Sequence, residues 1–267
     1  MTLRDRFSRR GSPPLPQQFP DLVNRDSKVS GWRNDVTGEL LPGFDAPANC
    51  EILDIGCGTL PHSAFFADRP VSIVLADILP EALVESAAMV HRAGTAAQVR
   101  ELVTDAAPLP LPDSSVDRVI ATEVLEHVRD PAQFMGELVR VGRPGAKYLI
   151  SVPDWRSEEL QRPFAAPAHF QEPNHIRVFA EGELDTLVAA AGLRIEHVQY
   201  DGFFHSLWWF FFWIAAQPQI QPPWHPLLDA WMTTWDTLLD TDRGAELKEA
   251  LDQAIPKSKV VVASKPG

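Results

Sequence analysis

Glu51-Ile52-Leu53-Asp54-Ile55-Gly56-Cys57-Gly58-Thr59 is a short apolar run with an acid near its end, broken off by two closely spaced glycines. An apolar run of this length that stops at turn residues reads as a buried strand entering a tight loop. Glycines at 56 and 58 let the backbone take positive φ and come close to a ligand with no Cβ in the way. The loop is read as a binding loop; the competing reading is a glycine-rich turn that holds nothing.

Asp54 separates the possible ligands. A dinucleotide places its pyrophosphate over such a loop, held by amide N–H groups and a helix N-terminus, and a carboxylate aimed there would repel it. S-adenosylmethionine carries no phosphate. Its ammonium, sulfonium and ribose turn an acid at the strand end into an attraction.

Further strands follow at α/β spacing. Val71 to Asp77 is β-branched and apolar until its closing acid, which comes ~20 residues after the glycines, where an acid ends the next strand and can grip a ribose. Ile78 and Leu79 beside it suggest an apolar wall. Gln98 to Thr104 gives a third strand, with Asp105 after it either accepting from an adenine amino group or forming an Asx turn. Val116 to Ala121, Tyr148 to Val152 and Leu193 to Tyr200 give three more, and Lys259 to Ser264 a last one. Between them, Pro61 to Ala67 is read as a short helix and Pro80 to about Arg92 as a longer one with Gly94 as its C′ residue. Asp130-Pro131 opens a helix that Gly142 closes, and another from near Glu181 ends at Gly192.

Asp54-x-Gly56-x-Gly58, Asp77, Asp105-Ala106 and Thr122-Glu123-Val124-Leu125-Glu126-His127-Val128, in that order, resemble the class I S-adenosylmethionine-dependent methyltransferases, of methyltransferase type 11. The nearest branch is a small-molecule one that includes the ubiquinone and menaquinone C-methyltransferases. The resemblance covers about Cys50 to Tyr200 and departs where Leu60 stands in place of a frequent third glycine. It implies an α/β, Rossmann-like sheet of seven strands, mostly parallel with an antiparallel last strand beside the sixth, and helices on both faces. It also implies that Asp54, Gly56, Cys57 and Gly58 bind the methionine part of the cofactor, Asp77 the ribose, and Ile78, Asp105 and Ala106 the adenine. Glu123 would lie near the sulfonium, and S-adenosylhomocysteine would be the product.

A formal net charge of −12 disfavours a nucleic-acid partner, which needs a basic face to displace counterions. Cys50 and Cys57 bracket a strand too long for them to bridge, so both are expected as free thiols. Without a secretory signal or an ~18-residue apolar run, a cytoplasmic protein is expected. Residues 1–20, with four prolines from Gly11 onward, read as a flexible tail and 21–49 as a helical cover. Within that cover Trp32 either lies over the cofactor or simply packs. The core is read over 50–201, an aromatic-rich helical insertion over 202–258 and the last strand over 259–267.

Asp154 to Arg177 reads as irregular and holds His169, Glu172 and His175. Pro173 breaks any helix that would align them and no cysteine completes a set, so no metal site is expected. The resemblance instead suggests that His175 orders this loop beside the substrate. His127, His169 and His175 all fall in loops read at the carboxyl edge of the sheet, with His127 first, and are the candidates for a base if the acceptor is a hydroxyl.

Six of the eight tryptophans fall between Trp208 and Trp235, and Phe203 to Ala216 is apolar all round if helical. That run is too short to span a bilayer and lacks the polar face of an interfacial helix. It is read as packing against the sheet, as a dimer interface, or as a cover for an apolar substrate, with peripheral membrane contact as a minor reading. The favoured function is methyl transfer from S-adenosylmethionine to an O, N or C atom of a small-molecule acceptor. Its rivals are a non-catalytic S-adenosylmethionine-binding partner or regulatory subunit and, more distantly, a nicotinamide oxidoreductase, which Asp54 and the missing Gly-x-Gly-x-x-Gly oppose.

Overall fold

The computed structural model describes residues 18–217 and 220–267. The chain divides into two compact units. One, comprising Gly31–Trp155, Pro167–Tyr200 and Ser258–Gly267, is built on a sheet. The other is helical and takes the described part of the chain up to Ser30, with Arg156–Ala166 and Asp201–Lys257.

In chain order the strands are β1 (Glu39–Leu41), β2 (Phe44–Asp45), β3 (Glu51–Ile55), β4 (Ser72–Asp77), β5 (Gln98–Val103), β6 (Val116–Thr122), β7 (Gly142–Pro153), β8 (Arg194–Asp201) and β9 (Ser258–Ser264). β1 and β2 form a small hairpin. The other seven make one sheet in the order β5-β4-β3-β6-β7-β9-β8. β5, β4, β3, β6 and β7 run parallel, and β9 is antiparallel to β7. This is the expected Rossmann-like sheet.

The central strands are apolar throughout because both faces are covered. Alternation along β3 sends Leu53 and Ile55 to one core and Ile52 to the other. The first core takes in Phe134, Met135 and Leu138 of α3 (Pro131–Val141) and Leu184 and Val188 of α5 (Glu183–Ala190). The second takes in Leu83, Ala87 and Val90 of α2 (Pro80–Ala93), with Leu40, Leu41 and Phe44 of the hairpin. α3 starts as its sequence directs: the Asp130 carboxylate accepts from Gln133 N at 2.9 Å, and Pro131, lacking an N–H, stands at the first turn.

Several local expectations give way. The tail read over 1–20 lies outside the described residues up to position 17, and α1 (Gln18–Val29) begins inside it, with Pro20 in the first turn. The segment read as a helical cover holds that helix only to Val29 and then the hairpin. Trp32 takes the packing role, buried and stacked on His62 at 4.9 Å. Gly94 is extended and not left-handed; a Cβ there would overlap the Ala67 carbonyl carbon, so close approach explains the glycine. β7 starts at Gly142, directly from α3, and the stretch after Asp154 contains a helix, α4 (Trp155–Gln161). Cys50 and Cys57 are free and buried.

The helical unit includes α6 (Phe203–Ile214), α7 (Pro226–Leu239) and α8 (Gly244–Ala254) together with α1. Its aromatic residues form a core of their own, in which Phe204, Trp208, Phe212 and Trp235 pack with Leu22, Leu228 and Met232. Beneath it Lys248 is buried among three carboxylates, Asp252 at 2.7 Å, Asp26 at 3.2 Å and Asp201 at 3.5 Å. Among the described residues no helix is long and apolar enough to cross a membrane.

Candidate functional site

Because β5, β4, β3 and β6 are parallel neighbours, the loops that leave them emerge at one carboxyl edge, where open α/β sheets bind ligands. These are the loops carrying Gly56 to Thr59, Asp77 to Leu79, Thr104 to Ala107 and Glu123 to Val128.

The glycine loop is tied to β4. Gly56 N and Cys57 N both donate to Ala76 O, at 2.7 and 3.3 Å. Gly56 has φ +63°, and a Cβ on it would overlap Val124 Cγ2, so two independent reasons require glycine there. Gly58 has φ +54° with nothing near the place a Cβ would occupy. Its N–H donates to Asp77 Oδ2 at 2.9 Å and its carbonyl accepts from Ser86 Oγ at 2.5 Å.

The two acids of the motif differ in surroundings. Asp54 is buried, its Oδ2 accepts from Ser63 N at 2.9 Å, and burial pushes its carboxyl up to about 6. It therefore also anchors the 3-10 turn His62–Phe66 that follows the loop. Asp77 uses Oδ2 for Gly58 and Oδ1 for Leu79 N, at 2.9 Å each. Each carboxylate oxygen has two lone pairs, so both retain acceptor capacity. Beside it Ile78 and Leu79 are 65% and 51% exposed, an apolar surface at the edge. Leu60, at the position of the family's frequent third glycine, is also exposed.

Asp105 is exposed and forms the Asx turn, Oδ1 accepting from Ala107 N at 3.1 Å. Ala106, next to it, is buried with φ +59°. Glu123 has φ +54°, an uncommon conformation for a side-chain-bearing residue. Ser151 at the end of β7 holds it twice, Glu123 N donating to Ser151 O at 3.0 Å and Ser151 Oγ donating to Glu123 Oε1 at 2.9 Å.

The three histidines come together although the sequence separates them. His127 lies 5.3 Å from His175, ring centre to ring centre, and His169 lies 4.3 Å from His175. His127 Nδ1 stands 3.1 Å from Pro173 O and 2.9 Å from Asn174 O, fastening the 3-10 turn Leu125–His127 to the loop after α4. Arg129 and Glu172 add a two-pronged ion pair across the same junction, at 2.9 and 3.0 Å. Sequence reasoning gave no role of their own to Val124, Ser86, Ser151 and Glu126. Of these Val124 and Glu126 stand within the motif Thr122 to Val128, whereas Ser86 and Ser151 carried no signal.

Residues 53–150 match the family described as a methyltransferase domain. A Mycolicibacterium smegmatis protein named a probable S-adenosylmethionine-dependent methyltransferase is 32% identical over 159 residues, 60% of this chain and 57% of that one. The chain spans about half the length of the curated relatives it matches. Among solved structures, a SAM-dependent methyltransferase of Methanosarcina mazei superposes with a TM-score of 0.52 at 19% identity, over 82% of this chain and 94% of that one. The [4+2]-cyclase SpnF superposes with a TM-score of 0.54 at 19% identity, over 96% and 98%. Likeness at this identity concerns the fold alone, and the methyltransferase fold evidently serves more than one chemistry.

Proposed function

We propose that this chain binds S-adenosylmethionine at the carboxyl edge of its sheet and transfers the methyl group to an O, N or C atom of a small-molecule acceptor. The observation that carries the reading is Asp77. It is held by Gly58 and Leu79 amides at the mouth of the glycine loop, with exposed Ile78 and Leu79 beside it. Asp77 would take the ribose hydroxyls, Ile78 with Asp105 and Ala106 the adenine, and the Asp54-to-Gly58 loop, including Cys57, the methionine part. Glu123 would face the sulfonium, where a carboxylate attracts positive charge.

The acceptor atom attacks the methyl carbon in line with the breaking carbon–sulfur bond, whose electron pair stays on sulfur as S-adenosylhomocysteine forms; a protonated acceptor also gives up its proton. The sulfonium is already a strong electrophile, so the protein's work is to align the nucleophile and exclude water. His127, His169 and His175 would border the acceptor side. The branch that includes the quinone C-methyltransferases is the finer reading of the motifs, and a cytoplasmic setting suits two buried free thiols.

The second reading, an S-adenosylmethionine-binding chain without methyl transfer, draws support from the fold shared with a cyclase. Calorimetric titration with S-adenosylmethionine, S-adenosylhomocysteine and NADH tests the cofactor, and tighter binding of NADH would overturn both readings. Single-turnover transfer from methyl-labelled cofactor to a panel of small acceptors separates them: a labelled acceptor supports methyl transfer, and stoichiometric cofactor binding with no labelled product across the panel favours the second.

A further inference from the structure

Glu126, His127 and His175 each offer one ligand-type atom, and these atoms all lie within 4.8 Å of one another. Within His169 to His175 alone, Pro173 prevents a shared helix face. The fold supplies the missing ligands from the other side, through the 3-10 turn Leu125–His127 at the end of β6.

Three features make this trio more than a coincidence of polar groups. The Glu126 side chain is 1% exposed, and its Oε1 lies 3.7 Å from His127 Nε2. His127 Nδ1 faces two carbonyl oxygens, which only accept, so Nδ1 carries a ring proton, and it is Nε2, 3.7 Å from Glu126 Oε1, that holds the lone pair of the neutral ring. Metal-ligating histidines are usually set in this way, the second ring nitrogen donating to a carbonyl that fixes tautomer and orientation. Finally, the loop bearing His175 is clamped by the His127 contacts, by the Arg129–Glu172 pair and by His175 N donating to His169 O at 3.0 Å.

We propose that Glu126, His127 Nε2 and His175 bind one divalent first-row transition-metal ion. Donor atoms at the corners of a triangle with 4.8 Å sides stand about 2.8 Å from its centre, and zinc bonds to such atoms are ~2.0–2.2 Å, so each donor moves inward by less than about 1 Å. Two imidazole nitrogens and one carboxylate oxygen suit zinc, iron(II) or manganese, whereas calcium and magnesium favour all-oxygen sets. Three protein donors leave positions open for water or for an oxygen-bearing molecule, as in catalytic and not structural zinc sites. The site stands independently of the methyl-transfer reading, because its ligands need neither cofactor nor acceptor.

The test is binding of Zn²⁺ by calorimetry and of Co²⁺ by visible absorption, on the full chain stripped with a chelator and without S-adenosylmethionine. One saturable equivalent per chain is expected. Loss of an outer-shell partner alone costs 10–100-fold in affinity, so His127→Ala, His175→Ala and Glu126→Gln should each weaken binding by about 100-fold or more. His91→Ala, on the exposed face of α2, should bind as the parent does. Circular dichroism checks the fold of each variant; if the buried Glu126→Gln does not fold, the two histidine variants at partly exposed positions carry the test. Less than one saturable equivalent in the parent, or parent-like affinity in both histidine variants, would overturn the proposal.

Discussion

Asp77 Oδ2 accepts the Gly58 N–H at 2.9 Å, so the acid that closes β4 is bonded to the glycine loop that follows β3. One side chain thus fixes the loop and, with its remaining lone pairs, would meet the ribose. Asp77→Ala should weaken S-adenosylmethionine and S-adenosylhomocysteine alike by roughly 2–4 kcal/mol, the value of a two-point charge-assisted contact. Isothermal titration reads this directly, and an unchanged affinity would remove Asp77 from the site.

Gly56 and Val124 should show coupled behaviour. Gly56→Ala places a methyl group on Val124 in a left-handed backbone and should cost about 2–4 kcal/mol, overpacking adding to the conformational penalty. Gly58→Ala, with open space around it, should cost only about 1–2 kcal/mol. Adding Val124→Ala to Gly56→Ala should recover the overpacking part but not the backbone part. A double-mutant cycle in urea that proves purely additive would contradict this geometry.

Lys248 lies among Asp26, Asp201 and Asp252 in the buried cluster. Burial already pushes the Asp252 carboxyl up to about 6 and that of Asp26 upward despite the lysine. Lys248→Met should destabilise the helical unit by about 3–5 kcal/mol, since it leaves buried carboxylates uncompensated. Six of the eight tryptophans lie between Trp208 and Trp235, within this unit, so tryptophan fluorescence during unfolding reports on it selectively. A transition midpoint equal to the parent's would count against the cluster's role.

Two neighbouring groups pull the pH dependence in opposite directions. Asp54 has a folded pKa of about 6 against a usual 3.8, so between those values the native chain keeps a proton that the unfolded chain has released, and stability falls as pH rises through that window. The full effect is about 3 kcal/mol. Burial and the nearby Arg33 guanidinium hold His62 well below the usual imidazole range. It stays neutral where the unfolded chain would protonate, and its contribution falls as pH drops below about 6.5. Asp54→Asn should therefore make stability climb more steeply with pH between about 4 and 6, and His62→Phe should do the reverse. Parallel profiles in parent and both variants would refute the assignment.

The sheet could be read from sequence because parallel strands buried on both faces are written as unbroken apolar runs, as at Ile52-Leu53 and Val74-Leu75. The motif acids stood out because each ends such a run. What escaped was set by distant partners or by unmarked backbone. Pro20 looks like loop chemistry but sits harmlessly in the first turn of α1, and nothing in the chain announces the positive φ of Glu123. His127 and His175, 48 positions apart, meet only because β6 and β7 are paired neighbours whose following loops share an edge. The aromatic block, for which sequence left packing, dimerisation and substrate cover open, forms a core of its own to which α1, remote in sequence, supplies Leu22.

β9 lies between β7 and β8, although every other strand precedes it in the chain. During synthesis β9 therefore leaves the ribosome after the strands on both sides of it. Until Ser258 to Ser264 emerge, β7 shows a bare row of amides and carbonyls on one side, and β8 has no neighbour in the sheet at all. Such an open flank is a template for pairing with another nascent chain. A frameshift or premature stop shortly before Ser258 would therefore release a chain with that flank of β7 left open.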